Sequence, residues 1–124
     1  EPGADKLCAY PWIVPPPQTT LRQQVDSFFV RHGLTLPAQR IETLSLALGQ
    51  RYTLTGDAIW VAPEEAVRSS LERRELCELA LPLEPHGGSV GACINRSLRP
   101  TLATETFCEV LREVAADVVK GHNL

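Results

Sequence analysis

The stretch TLSLALGQRYTLTGDAIWVAP, residues 43–63, decides the fold of this 124-residue chain. Ser45 predicts the N-cap of a short helix that stops at Gly56. Residues 58–61 form a continuous apolar run that is too short for a surface helix, so they predict a buried strand. The stretch contains no nucleophile, metal-ligand cluster or phosphate-binding loop. It therefore predicts the wall of a small-molecule pocket and not catalytic machinery.

Two further elements precede this stretch. Residues 10–14 are apolar and predict a strand that ends at three consecutive prolines, residues 15–17, because proline removes the amide donors that a sheet requires. Thr20 and Gln23 fit the capping-box pattern, so a helix is expected to begin at Thr20 and to end at Gly33. Its predicted apolar stripe is Leu21, Val25, Phe28, Phe29 and His32, and its predicted water-facing residues are Arg22, Gln23, Asp26 and Arg31.

The order of elements favours a parallel sheet. Residues 39–43 suit a second strand with Ile41 pointing inward, and this strand lies between the two predicted helices. Strands that alternate with helices are typical of a parallel α/β layer. A third helix is expected after residue 63, since Pro63 is acceptable at a helix start and Glu64 and Glu65 suit its positive end.

The last third of the chain continues with less regular signals. Residues 77–83 predict an edge-like strand, and residues 89–95 predict one more strand. Strands at 12–16 and 89–95 are interpreted as two crossings of a hinge. The longest helix is expected after residues 99–101, with an apolar face made of Phe107, Val110, Leu111, Val114 and Val118. We expect this face to pack on a second lobe, whose other elements precede residue 1, or else on the same sheet.

Composition excludes several classes of protein. The chain has 12 Lys+Arg against 15 Asp+Glu and a net charge of -3, with no dense basic run, so this piece is not expected to contact DNA itself. No apolar run approaches the roughly 20 residues of a membrane-spanning helix, so no membrane partner is expected and a cytoplasmic location is predicted. The chain begins without Met, which suggests a piece of a longer protein.

Neither metal binding nor catalysis is predicted, and no cofactor is expected. The cysteines are widely spaced without a CxxC pair, and the histidines are scattered, so no metal site or disulfide is favoured; these residues are Cys8, Cys77, Cys93, Cys108, His32, His86 and His122. Glu64 and Glu65 are adjacent in a predicted helix and diverge by about 100°. The serines lack the GxSxG pattern of hydrolases.

Three segments carry a resemblance to a known family: residues 10–17 (YPWIVPPP), residues 41–45 (IETLS) and residues 56–63 (GDAIWVAP). In this order they resemble the effector-binding domain of LysR-type transcriptional regulators, and within that family the regulators of protocatechuate (pca) operons. The resemblance covers about residues 6–116. Two departures occur: Leu54-Thr55-Gly56-Asp57-Ala58 replaces the family pattern Ala-Ala-Gly-x-Gly, and Gly49-Gln50-Arg51 places the arginine one residue later than a Gly-Arg pair.

The resemblance implies a fold like the type 2 periplasmic binding proteins, in which an effector lies between two α/β lobes. Each lobe would have three layers around a mixed, mostly parallel sheet. Residues 1–14 would then end the first lobe and form the first hinge strand, and residues 15–88 would form the second lobe. Residues 89–124 would form the second hinge strand and a helix that returns to the first lobe. The first half of the first lobe and a DNA-binding winged helix-turn-helix would precede residue 1.

The expected effector site combines helix starts with a few side chains. Unsatisfied amides at the predicted helix starts can hold a carboxylate, although ordinary capping is an equal alternative use of Thr20 and Ser45. Arg51 presents a guanidinium that matches a carboxylate, or else is a solvated surface residue. Trp60 either packs in the core, which we favour, or floors the pocket. The predicted effector-binding set is Pro17, Gln18, Thr19, Thr20, Ser45, Gly49, Arg51 and Trp60.

From these observations we expect the effector-sensing domain of a bacterial LysR-type regulator of aromatic-acid (protocatechuate/β-ketoadipate) catabolism, and not an enzyme. Its expected partners are a small carboxylated aromatic or diacid effector, DNA through the winged helix-turn-helix, and further copies of itself in a dimer or tetramer. The alternatives are a periplasmic solute-binding lobe and a small α/β enzyme domain. An enzyme would need a convergent set of titratable residues, and a secreted binding protein would need a signal peptide.

Overall fold

A computed structural model describes residues 3–83 and 91–122 of the chain. The described residues belong to two compact units, which are considered separately below: residues 3–83 and residues 91–122. The predicted domain boundary between residues 88 and 89, residue His86 and the first part of the strand predicted at 89–95 lie outside the described residues.

The first unit is a parallel α/β layer, as the alternation of elements predicted. Its elements are α1 (Ala4–Leu7), β1 (Trp12–Val14), α2 (Thr20–Arg31), β2 (Arg40–Glu42), α3 (Leu46–Thr55), β3 (Ile59–Trp60) and α4 (Glu64–Glu72). The strand order is β2-β1-β3, and β1 pairs in parallel with both neighbours. The short helix α1 was not predicted from the sequence.

The central strand β1 is buried on both faces. Trp12 and Val14 face α2, where Phe29 meets the Trp12 ring edge-on with centroids 5.0 Å apart and Phe28 meets Phe29 at 5.7 Å. Ile13 points to the opposite face and is fully buried beside Trp60, its partner in β3. Since residues in a strand alternate between faces, three consecutive buried residues require cover on both sides of the sheet.

Helix α3 lies close to β3 because of a glycine. Gly49 is buried, and a methyl group at this position would overlap the indole ring of Trp60. A second link joins α3 to α4, since Gln50 Nε2 donates a hydrogen bond of 2.9 Å to Ser70 Oγ. Trp60 and Ile13 share the face opposite α2, so α3 covers that face and the unit has three layers: α2, sheet and α3.

The helix ends lie where the capping residues predicted, except that the N-cap of α2 is shifted by one residue. The N-cap of α2 is Thr19 and not Thr20, because Thr19 is extended and its hydroxyl accepts from Arg22 N at 3.2 Å. Two threonines in succession make the choice ambiguous from sequence. Ser45 caps α3 and Gly56 ends it, as predicted. Gly33 has a φ of 64°, which is the left-handed stop expected after α2.

Three further predictions for the first unit were wrong. Residues 77–83 form no strand, although Leu81 and Leu83 pack against the apolar cluster; their amides bond to carbonyls two residues back, which keeps them out of a ladder. Arg22 does not face water and is 6% exposed. His32 is exposed, although its ring stacks on Phe28 with centroids 4.4 Å apart, so the predicted stripe extends one turn too far.

The second unit contains one long helix. Helix α5 spans Leu102–His122, as predicted, and Thr101 Oγ1 accepts from Thr104 N at 3.2 Å near its start. Residues 91–95, the described part of the strand predicted at 89–95, form no strand, so this part of the prediction was wrong. The predicted apolar stripe of α5 is exposed; its members are Phe107, Val110, Leu111, Val114 and Val118.

Candidate ligand site at the carboxyl ends of the strands

Three loops meet at one edge of the sheet. Because β1, β2 and β3 run parallel, the loops that follow them all leave from the carboxyl edge; these loops are residues 15–19, 43–45 and 61–63. Thr43 N donates to Val14 O at 3.0 Å, so the ends of β1 and β2 are joined directly. Ligands of open α/β sheets bind outside the carboxyl ends of the strands. This edge is therefore the candidate site of the first unit.

The strand order predicts a crevice between the loops after β1 and β3. The chain passes from β1 to β2 on one side and then returns across β1 to β3 on the other side. At such a reversal, the connections from adjacent strands leave towards opposite faces of the sheet and open a gap between them. The loop after β1, residues 15–19, borders this gap and leads into α2.

The start of α2 presents unsatisfied amides at this edge. Thr19 Oγ1 accepts from Arg22 N and donates to Pro16 O at 2.9 Å, while Thr19 O accepts from Gln23 N at 3.1 Å. The amides of Thr20 and Leu21 precede the first intrahelical bond and have no partner among the described residues. Such amides carry a partial positive charge and suit an anion.

The start of α3 repeats this arrangement after β2. Ser45 Oγ accepts from Leu48 N at 3.3 Å and Ser45 O accepts from Gly49 N at 3.0 Å. Leu46 N and Ala47 N are left without a partner in the described part of the chain. The amides that the caps satisfy are therefore different from the amides that could bind an anion. Capping and anion binding, the two uses predicted for these helix starts, can occur together.

A buried arginine lies behind the start of α2. Arg22 Nε donates to Asp26 at 2.9 Å, and Arg22 Nη1 donates both to Pro15 O at 3.0 Å and to Glu42 Oε1 at 3.1 Å. Burial opposes its charge, but the hydrogen bonds to Asp26 and Glu42 outweigh burial and raise the pKa of Arg22. Arg40 Nε also donates to Glu42 Oε1, at 2.9 Å. The hydrogen bonds from Arg40 and then Arg22 lower the pKa of Glu42.

Sequence reasoning missed this cluster. Arg22 was assigned to water because it is charged and lies next to Gln23 on an exposed face. The positions of these residues in the sequence could have indicated the cluster. Arg40 and Glu42 are two residues apart and therefore share one face of β2, and Arg22 is in the first turn of α2. A side chain there leans back over the helix start, towards the carboxyl ends of the strands.

The predicted site residues divide into three groups. Pro17, Gln18, Thr20 and Ser45 are exposed at the carboxyl edge and Thr19 is half-buried there. Gly49 and Trp60 pack against each other, so the packing favoured for Trp60 is present, and ligand contact stays a prediction for both.

Arg51 belongs to neither of those groups. It is exposed and lies two residues beyond Gly49, about 200° around the helix, so it projects from the outer side of α3.

Among residues 3–83 and 91–122, no three His, Cys, Asp or Glu side chains are grouped so that they could hold a metal ion. The four cysteines are free thiols. No helix in these ranges has the length and apolar character needed to cross a membrane.

The family of the chain follows from its sequence profile. The LysR substrate binding domain matches residues 3–116, which is nearly the whole chain. The chain therefore belongs to the LysR substrate-binding domain family, a domain of transcriptional regulators and not a family of enzymes. Its fold is that of the type 2 periplasmic binding proteins, and the open parallel sheet of the first unit agrees with this class.

Individual relatives carry regulator names. The HTH-type transcriptional regulators PcaQ of Agrobacterium fabrum and of Rhizobium radiobacter are each 29% identical over 117 residues, which is 94% of this chain and 38% of each relative. The uncharacterized HTH-type transcriptional regulator YdcI of Escherichia coli is 34% identical over 82 residues, 66% of this chain and 26% of its own length. No solved structure gives a significant match. The matched region is thus little more than a third of each PcaQ relative and about a quarter of YdcI.

Proposed function

We propose that this chain senses a small carboxylated aromatic or diacid effector for a LysR-type regulator of protocatechuate/β-ketoadipate catabolism. The family match and the two PcaQ relatives support this assignment. In the proposal, residues 15–88 form the second lobe, and residues 1–14 and 89–124 belong to the first. The regulator contacts DNA through a helix-turn-helix outside these 124 residues, acts as a dimer or tetramer, and is cytoplasmic.

The observation that carries the proposal is the pair of helix starts at one sheet edge. Thr20 and Leu21 in α2, and Leu46 and Ala47 in α3, offer amide donors that their own caps do not use. A carboxylate bound there gains hydrogen bonds and a favourable helix dipole without a lysine or arginine. Because α2 borders the crevice, we assign the first carboxylate to its amides and assign α3 the smaller contribution.

Signalling then follows from a change in the population of lobe arrangements. An effector held between two lobes favours the arrangement to which it binds more tightly, and it shifts the equilibrium by only that difference in affinity. Typical couplings are on the order of 1 to 3 kcal/mol. A shift of this size alters how often the regulator presents its DNA-binding helices in the active arrangement.

Melting temperatures in the presence of protocatechuate, carboxymuconate and ketoadipate test the effector class. A ligand at 100 times its dissociation constant stabilises the folded state by about 2.7 kcal/mol, so a true effector raises the midpoint measurably. Benzyl alcohol, which has an aromatic ring but no carboxylate, is the negative control. If none of the three acids raises the midpoint, the aromatic-acid assignment fails while the family assignment stands.

A proline at the first helical position tests the amides themselves. Thr20→Pro removes one donor, yet proline is favoured at this position and Thr19 is already extended, so α2 remains intact. We expect the dissociation constant of the acid to rise at least about tenfold, as for the loss of a hydrogen bond to a charged group. Thr20→Ala keeps the amide and should bind within about threefold.

A matching pair of variants on α3 compares how much each helix start contributes to the affinity for the acid. Leu46→Pro removes the first amide of α3, where Ser45 is also extended, and Leu46→Ala is its control. A smaller loss than for Thr20→Pro is expected. Arg51→Ala should change affinity by less than about threefold, because Arg51 projects away from the sheet. Wild-type affinity in both proline variants would remove the helix starts from the site.

A further inference from the structure

The loop of residues 15–19 is held by hydrogen bonds that its carbonyl oxygens accept. Its three prolines have no amide hydrogens, so residues 15–17 can form backbone hydrogen bonds only through their carbonyl oxygens. Pro16 O accepts from the amide of Thr19 at 3.2 Å and from its hydroxyl at 2.9 Å. Pro15 O accepts from the guanidinium of Arg22 at 3.0 Å. Within the described residues these bonds tie the loop to the first turn of α2.

Arg22 extends this connection to β2. Its Nη1 also donates to Glu42 Oε1, and its Nε holds Asp26 one turn further along α2. One side chain therefore joins the end of β1, the first turns of α2 and the end of β2. Its side chain is 7% exposed, so the guanidinium is enclosed by the groups that it links.

The charges argue against Arg22 as the counter-ion of an effector. Two carboxylates, Asp26 and Glu42, already accept from it, and Arg40 supplies the second positive charge of the group. A buried guanidinium with two ion pairs is already neutralised where it lies, and losing either partner would leave a buried charge unbalanced. Its effect on a ligand must therefore come through the loop that it holds.

We infer that Arg22 is a positioning residue of the effector site: its bond to Pro15 O sets the course of residues 15–19 and thereby the direction of the Thr20 and Leu21 amides. The inference rests on the proposed function, which places the carboxylate of the bound acid at these amides. Arginine is required because a planar fork reaches Pro15, Asp26 and Glu42 at once, whereas the ammonium of lysine is a single point on a flexible stem.

The experiment compares Arg22→Lys with wild type by amide chemical shifts and by affinity for the acid that raises the melting temperature. We expect large shift changes at residues 18–21, unchanged shifts in α4, and a dissociation constant raised at least about tenfold. Glu42→Gln is the second variant, because it weakens the same linkage without changing the buried side chain; smaller changes in the same direction are expected. Arg73→Lys, at the exposed Arg73–Glu75 pair, is the control.

The outcomes separate this inference from the proposed function. If wild type binds none of the acids, the aromatic-acid proposal fails, and the amide shifts at residues 18–21 still decide the role of Arg22. If Arg22→Lys folds, leaves those shifts unchanged and binds like wild type, the inference is overturned. If Arg22→Lys does not fold, Glu42→Gln decides: unchanged shifts at residues 18–21 overturn the inference, and altered shifts there support it.

Discussion

Similar apolar helix stripes are buried in the first unit of the chain and exposed in the second. Phe28 on α2 is 2% exposed, whereas Phe107 on α5 is 63% exposed. Both belong to helical faces that periodicity predicted equally well. The difference shows that periodicity predicts that an apolar face exists and where it lies, but not which surface covers it. In the first unit, a sheet with residues pointing to both faces supplies the cover.

The largest expected effect comes from truncating the two phenylalanines. Phe28→Ala should lower the free energy of unfolding by about 3 to 5 kcal/mol, because it empties a packed site against Phe29. Phe107→Ala should change it by no more than about 0.5 kcal/mol, as for surface substitutions. Chemical denaturation of both variants measures the two changes in the free energy of unfolding. A comparable loss for Phe107→Ala would show that the α5 face is buried in solution, and the contrast between the units would disappear.

Alanine substitutions at two glycines, one in each unit, should change the stability in opposite directions. Gly49→Ala places a methyl group into the Trp60 ring and should destabilise by about 1 to 3 kcal/mol, as overpacking does. Gly121→Ala meets nothing within 4 Å and should stabilise α5 by less than the roughly 1 kcal/mol of a helix interior, because Gly121 is the penultimate residue of that helix. Thermal unfolding followed by circular dichroism distinguishes the two variants. A Gly49→Ala variant as stable as wild type would mean that α3 moves away from β3 at little cost.

The smallest effect concerns the charged group of the first unit. The pKa of Glu42 is lowered in the folded state by Arg40 and Arg22, so its stabilising effect is present above the unfolded pKa and is lost as pH falls through the folded value. Glu42→Gln should therefore melt below wild type near pH 7, and the two melting temperatures should converge as pH falls through the lowered pKa of Glu42. Melting curves from pH 7 down into the acid range test this. A difference that stays constant over the whole range would assign the effect to shape and not to charge.

The sequence was sufficient for elements whose signals are local. Ser45 and Gly56 bounded α3 correctly, and the alternation of strands and helices predicted a parallel sheet, because capping and glycine stops depend on neighbouring residues. The edge strand at residues 77–83 was wrong, because pairing depends on a partner that no local pattern describes. Arg22 was misplaced for the same reason: the groups that bury it, Pro15 O and Glu42, are distant in sequence.

The candidate site was predictable in part. The helix starts of α2 and α3 were expected near a ligand, and the structure places both at the carboxyl edge of the sheet. Gly49 was selected for the site, and its position against Trp60 gives it a packing role that sequence alone did not indicate. Contact with a ligand remains a prediction for seven of the eight residues, and the outward position of Arg51 argues against a contact there.

The different surroundings of the two tryptophans give the protein a built-in optical reporter. Trp12 is 1% exposed and its indole N–H donates to Leu7 O at 3.0 Å, while Trp60 is half-buried under α3. Tryptophan emission moves to longer wavelength when the ring meets water. In Trp12→Phe protein the remaining emission comes from Trp60 alone, so any movement of α3 on ligand binding can be followed in real time by stopped-flow fluorescence without an attached dye.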